Sequence, residues 1–467
     1  MTITVLVALN TISRRGFIQD PTEPVAYELN IAIEPAQGSL SARAKLRIPP
    51  GYPERTYFNF WLHETFALHK LSINGQGVEY SSVPGGRPPF NPASKKIIVN
   101  LPPDVSTDGF SMEVEYDGRL KNLPEFNSGP GQIPGQNQWL DDQVNSRMVE
   151  LANYSSWYPQ FEIGQPLRIE MELSLPQGWI PVCSGEKVTE MAKEGRAVSR
   201  WFSPADNDIV ILASPDYKRM PIRQSGFFIE IYHTRMPDEF LEREVTQIGK
   251  TIELFAGRLG KSNIPGGTVK HIYSPKRKGQ GGAGFARPGM IVTSEGLTLE
   301  SLAENRRFSL FQGIAHEIAH FWWNFGSGQG DWINESFAEY FSAVALEIIS
   351  AKEEFESALK MYRRKVGDLP ADAPSLSIVP FLNDRIGYIV RYYKGALMLD
   401  DLRCLLGDDA FFKTCRDFYQ EYGKKSIGTP EFRSFWKNRL GHRGRGIDIW
   451  LDSKGDCRGS IDSPGPR

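Results

Sequence analysis

The run His316-Glu317-Ile318-Ala319-His320 has the residue types and spacing to bind and use a metal ion. On a helix, residues four apart share a face, so both imidazoles can reach one ion. Glu317 then lies beside that ion, where a carboxylate can take a proton from a water the ion activates. Five-residue patterns of this kind recur by chance, and two neighbouring features set this one apart. Residues 308–315 before it are largely apolar and helical in pattern, as suits a buried helix. Downstream, Trp332-Ile-Asn-Glu335-Ser-Phe-Ala-Glu339-Tyr340 forms a second helical run that brings carboxylates back. A catalytic zinc takes three protein ligands and keeps one position open, and Glu335 completes that number. Two neutral imidazoles and one carboxylate suit zinc best among common ions, at one ion per chain.

Such a site needs a large frame. At 467 residues the chain exceeds one ordinary core, which implies two domains and a tail. Hydrophobic residues at 40% and charged residues at 24% are ordinary for a globular protein. A formal net charge of -2 gives no support to a nucleic-acid partner or an anionic membrane, which favour strongly basic surfaces. No window approaches the ~18 consecutive apolar residues of a transmembrane span. The start, Met-Thr-Ile-Thr-Val-Leu-Val-Ala-Leu, has no basic residue before its apolar run, so a cytoplasmic protein is the expectation. Cys183, Cys404, Cys415 and Cys457 form no Cys-x-x-Cys pair, and Cys404 and Cys415 read as buried free thiols.

Two textures follow each other along the chain. From Tyr27 to Tyr217 the pattern has period two: Leu40, Ala42, Ala44, Leu46 and Ile48 alternate with polar residues, and so do Leu167, Ile169, Met171, Leu173 and Leu175. This is the signature of half-buried antiparallel strands, a sandwich or saddle. Residues 124–138, rich in Gly, Pro and Asn, read as a long exposed loop. Beyond Tyr217, residues 227–232 and 269–273 read as strands around a helix starting near Pro237. From Ala303 to Leu440 nearly everything reads as helix.

The segments His316-Glu-Ile-Ala-His-Phe-Trp-Trp323 and Trp332-Ile-Asn-Glu-Ser-Phe-Ala-Glu-Tyr340 resemble the gluzincin aminopeptidase family, which contains aminopeptidase N and leukotriene-epoxide hydrolase. Arg391-Tyr392-Tyr393-Lys394-Gly395 resembles that family's Tyr-Glu-Lys-Gly, and Ser156-Trp157-Tyr158-Pro159 its aromatic-proline turn. The resemblance implies an α+β multidomain fold, with an N-terminal antiparallel β domain followed by a thermolysin-like, mostly helical catalytic domain. The expected divisions are an extension over residues 1–20, a β-rich domain over 21–217, a catalytic domain over 218–442 and a polar tail over 443–467. The large C-terminal helical domain of many members has no counterpart.

The resemblance further implies a zinc peptidase with His316, His320 and Glu335 as ligands, Glu317 as general base and Tyr392 as oxyanion donor. Tyr393 competes for that last role, and the following Lys394-Gly395 decides for Tyr392. Only fourteen residues separate His320 from Glu335, four fewer than is usual in the family, and a literal count would select Glu339. The local Asn-Glu-Ser-Phe-Ala context favours Glu335, with 326–331 as a shortened loop and Glu339 as an outer partner. The family's substrate strand, Gly-x-Met-Glu-Asn, corresponds to the stretch containing Gly282, Ala283 and Gly284. Here the glutamate that holds the substrate's free amine is missing and Arg287 sits close by. Glu150 falls roughly where the family's β domain lends a glutamine to that amine, and is the candidate replacement. The expected partner is a peptide, cleaved as by an aminopeptidase. The alternatives are an endopeptidase, an enzyme for blocked N-termini, or a peptide-binding module without catalysis. His63, His69, His233, His271 and His442 lack metal-ligand spacing and read as structural.

Overall fold

The computed structural model describes residues 23–50, 57–85, 93–103, 105, 109–120, 142–161, 166–224, 226–262, 264–276, 284–380 and 384–456. The expected N-terminal extension, the loop at 124–138, Gly282, Ala283 and Cys457 lie outside these residues.

The period-two segments form an eight-stranded sheet. Its order is Glu186–Lys193, Arg196–Asp206, Leu167–Pro176, Val25–Glu34, Ser39–Ile48, Phe110–Arg119, Ala67–Ile73 and Gln76–Gly77. In Ser39–Ile48 the apolar residues are buried and Ser41, Arg43, Lys45 and Arg47 are exposed, as the alternation requires. One pairing departs from the antiparallel expectation. Val25–Glu34 runs parallel to Leu167–Pro176, a pairing open to strands so far apart in sequence because no hairpin joins them. A three-stranded sheet, Tyr57–His63, Ser94–Asn100 and Tyr80–Pro84, closes the sandwich over Ile31, Leu46, Phe60, Ile97, Val114 and Leu173.

A four-stranded sheet (Ile180–Cys183, Ile211–Ser214, Met148–Leu151, Gln143–Asn145) connects this domain to the next. Val182 and Leu212 of this sheet, with Ala152 and Val210 just beyond its strands, pack with Tyr232, Ile272, Phe285, Met290 and Val292 of a five-stranded sheet. That second sheet has the order Lys218–Gln224, Phe227–His233, Thr268–Ser274, Met290–Ser294 and Gly284–Arg287, the last an edge strand.

The described residues also form ten α-helices: α1 Asp238–Leu259, α2 Glu295–Ala303, α3 Arg307–Ala319, α4 Asp331–Ala345, α5 Lys352–Gly367, α6 Arg385–Ile389, α7 Gly395–Leu406, α8 Asp408–Tyr422, α9 Thr429–Leu440 and α10 Arg445–Asp452. Pro237 caps α1 just outside its first turn, and Phe240, Leu241, Val245, Ile248, Ile252 and Phe255 form its buried face. Helix α4 is buried along nearly its whole length, its polar residues Asn334, Ser336, Glu339 and Ser342 included. Each large apolar side chain it buries contributes about 1.5–3 kcal/mol.

The stretch expected to be a tail contains α10, whose Ile447 and Leu451 are buried. Lys394, itself buried, donates its Nζ to the carbonyls of Ser453 (2.6 Å) and Gly455 (2.9 Å) and pins this segment to the core. Among the described residues, no helix is long and apolar enough to cross a membrane. Cys183 and Cys415 are buried thiols, and Cys404, expected to be buried, is half-buried.

Candidate metal centre

Helix α3 carries His316 and Glu317, and His320 follows as its αR cap, so the four-residue spacing keeps both imidazoles on one face. Helix α4 packs against α3 and presents Glu335. The distance from Glu335 Oε2 is 3.4 Å to His316 Nε2 and 3.7 Å to His320 Nε2. One ligand atom from each of the three residues lies within 4.8 Å of the others. Zinc bonds of about 2.0–2.1 Å in tetrahedral geometry place ligand atoms ~3.3–3.5 Å apart, so the spacing fits.

The remaining ring nitrogens explain which atoms are offered. His316 Nδ1 lies 2.9 Å from Glu339 Oε2, and His320 Nδ1 lies 2.9 Å from the Trp323 carbonyl. Both partners are acceptors, so each Nδ1 carries the proton and each Nε2 turns a lone pair inward. Facing those lone pairs, Glu335 Oε2 is buried and has no hydrogen-bond partner. Three ligand atoms aimed at one point are what a divalent cation satisfies, displacing any proton held there. The donor set thus fits zinc, and Glu339 lies against the outer nitrogen of His316.

The electrostatics agree. Burial works against charge on His316, yet the Glu335 and Glu339 carboxylates outweigh it and push the imidazole up to about 10. Burial also opposes charge on Glu335, but His316 and His320 hold it well below the usual carboxylate range. The site therefore draws a cation. Glu317 stands outside the trio and half-buried; burial raises its pKa, against the pull of His316, His320 and Arg287.

Tyr392 lies on a widened π-turn, Val390–Lys394, between α6 and α7. Its ring is parallel to that of His316, at 5.5 Å and 3°. Burial and the neighbouring Glu335 carboxylate keep its phenol protonated far above ordinary pH. Tyr393 instead stacks on Tyr362 at 4.9 Å. Close packing explains the neighbouring sequence: a Cβ on Gly395 would stand 1.7 Å from Ser336 Oγ. Ser336 in turn donates to the Arg391 carbonyl at 2.5 Å.

Two features went unread in the sequence. Asn334 Oδ1 accepts from the Gly326 N–H at 2.8 Å and its Nδ2 donates to the Gly326 carbonyl at 2.9 Å, tying the shortened loop to α4. The loop folds this tightly because a Cβ on Gly326 would meet the Gly330 oxygen at 2.3 Å. The second is the state of the interdomain charges. Glu150 is fully buried, ion-paired to Lys276 Nζ at 2.8 Å and hydrogen-bonded by Ser274. Arg287 bonds Asp208 (2.8 Å) and Asn153 (3.2 Å), so it is not the bare cation the sequence suggested. Gly284 pairs with Thr293, where a Cβ would press on the Val292 carbonyl at 2.4 Å.

The β domain is thus joined to a helical domain that carries the His-His-Glu centre. Residues 284–449 match the peptidase family M1 domain. Aminopeptidase N of Streptomyces lividans is 27% identical over 126 residues, which are 23% of this chain and 14% of that protein, so the match spans a small part of it. The M1 zinc metallopeptidase of Deinococcus radiodurans superposes with a TM-score of 0.70 at 16% identity, covering 95% of this chain and 96% of that one. Leukotriene A4 hydrolase of Saccharomyces cerevisiae gives a TM-score of 0.70 at 15% identity, covering 95% of this chain and 69% of that one. At these identities the last two likenesses are of fold.

Proposed function

We propose that this chain is a zinc peptidase, with one zinc held by His316, His320 and Glu335, that hydrolyses peptide bonds. The buried Glu335 Oε2, unpartnered between two inward-facing imidazole nitrogens, carries the reading. When bound, zinc supplies a Lewis acid that acidifies water and polarises a carbonyl. Glu317 accepts the proton of the attacking water and returns it to the leaving amine. Tyr392 donates its hydroxyl to the carbonyl oxygen as that oxygen gains negative charge. Glu339 fixes the tautomer and orientation of His316. A peptide as substrate is supported by the Deinococcus radiodurans relative, one variant of which was solved with a Tyr-Ser-Ala substrate. A peptide-binding module without catalysis would have no use for Glu317 and Tyr392 beside the ligands.

Within this reading, an aminopeptidase needs an anion for the substrate's α-ammonium, because an unpaired charge in a closed cleft is costly. Glu150, the sequence candidate, is engaged by Lys276 and Ser274 and has no exposed surface. That observation favours a second reading, in which a free N-terminus is not required and blocked or internal bonds are cut. Cleavage of a peptide mixture by the zinc-loaded protein, followed by mass spectrometry, tests the function. Cuts lost on chelation support a zinc peptidase, and no cleavage at all would leave only the binding module. Comparing one peptide with its N-acetylated twin separates the two readings: preference for the free amine selects the aminopeptidase, and equal cleavage excludes it.

A further inference from the structure

Seven side chains from four parts of the helical domain close into a ring that includes one metal-ligand candidate. His316 Nδ1 meets Glu339 Oε2 at 2.9 Å, and Glu339 Oε1 accepts from Gln312 Nε2 at 3.4 Å. Gln312 Nε2 also donates to the Tyr362 hydroxyl at 2.5 Å. The Tyr362 ring stacks on Tyr393 at 4.9 Å and 14°. Tyr393 meets Tyr388 edge to face at 5.5 Å. Tyr388 stacks on Tyr392 at 4.0 Å and 21°, and Tyr392 returns to His316 at 5.5 Å and 3°. Helical spacing of four residues puts two pairs of the ring's members on common faces: Gln312 and His316 on α3, and Tyr388 and Tyr392 across the π-turn.

We propose that this ring is a positioning device that sets the His316 imidazole and the Tyr392 phenol relative to each other, with Tyr388, Tyr362 and Gln312 as positioning residues. The inference rests on the zinc-peptidase reading above. A phenol that donates to a developing charge must be held within a fraction of an ångström, and a single aromatic side chain on a turn does not hold itself there. Tyr392 has a flat ring against it on two sides, His316 and Tyr388, so it cannot swing without moving one of them. His316 is held at Nδ1 by Glu339, whose other oxygen is tied through Gln312 and Tyr362 to the same aromatic stack. A shift at either end is thereby transmitted to the other. The π-turn is the local distortion that makes this possible, placing Tyr392 toward the metal centre and Tyr393 toward α5.

The test uses full-length protein and two readouts: kcat and KM on a cleaved peptide, and zinc affinity of the metal-free protein by chelator competition. Tyr388→Leu should lower kcat about tenfold with KM unchanged, short of the ~10²–10³ lost with an oxyanion donor itself. Tyr388→Phe keeps the stack and should stay within about twofold of wild type. Gln312→Leu should weaken zinc binding by about tenfold, the lower end for outer partners of a ligand. Because the ring is closed, the Gln312→Leu, Tyr388→Leu double variant should depart from the product of the single effects by roughly threefold or more. Unchanged kcat in Tyr388→Leu, equal damage in Tyr388→Phe, or multiplicative single effects would each overturn the proposal. Should Tyr388→Leu not fold, Tyr362→Phe decides, since it keeps the stack and removes only the hydroxyl that Gln312 contacts. Its zinc affinity should fall about threefold, and an unchanged affinity refutes the ring. A wild type that cleaves no peptide would refute the peptidase reading, while the zinc measurements would still decide the ring.

Discussion

Two regions of this molecule bury charged side chains and use them in opposite ways. At the metal centre, His316, His320 and Glu335 aim lone pairs at one point, and Glu335 Oε2 is left without a partner. At the joint between the β domain and the five-stranded sheet, the charges satisfy one another. Glu150 takes Lys276 and Ser274, Asp208 takes Arg287 and the Tyr158 hydroxyl, and Lys270 donates to the carbonyls of Cys183 and Gly185. Burial pulls Lys270 down to about 8 even with those acceptors. Buried charge costs free energy wherever it sits, and only pairing or a metal offsets it. A closed set of pairs is what a structural joint needs, and an open set marks a site that receives something.

The difference can be broken from either side. The largest expected effect is Glu317→Gln, which should keep zinc and fold while turnover falls roughly 10²–10⁴-fold, since an amide cannot accept the proton. Zinc analysis beside a peptide assay checks it, and turnover near wild type would remove Glu317 from the chemistry. Tyr392→Phe should lose roughly 10²–10³ in kcat with zinc retained. If Tyr393→Phe shows that loss instead, the donor role moves by one residue, against the stacking of Tyr393 on Tyr362. At the joint the expectation is of another kind. Lys276→Met removes the ion-pair partner of the buried Glu150 and should destabilise the fold by about 3–5 kcal/mol with zinc content unchanged. Adding Glu150→Gln should restore much of that stability. Urea denaturation reads both, and zinc lost in step with Lys276→Met would mean that the two regions are not separate.

How much was legible in the sequence follows the same division. His316, Glu317 and His320 were readable because helical periodicity turns a short local pattern into a shared face. Glu335 was picked out by the resemblance of its Asn-Glu-Ser-Phe-Ala context, whereas the loop tie of Asn334 and the contact of Ser336 with Gly395 show only in the structure. The aromatic ring escaped notice because Gln312, Tyr362 and Tyr388 come from separate helices whose packing no local pattern states. The pairing of Glu150 with Lys276 escaped notice for the same reason, with 125 residues between them. In the C-terminal stretch, Gly-rich and basic composition hid Ile447 and Leu451, four residues apart and both buried.

The most direct measurement is the zinc bound per chain in purified Glu335→Ala and Glu339→Ala, side by side with wild type. Glu335 meets the two Nε2 atoms, whereas Glu339 meets only the outer nitrogen of His316. About one zinc in wild type, little in Glu335→Ala, and near-stoichiometric zinc bound some 10–100-fold more weakly in Glu339→Ala is the expected result. Full zinc in Glu335→Ala with loss in Glu339→Ala would contradict the ligand set and restore the longer spacing as the guide.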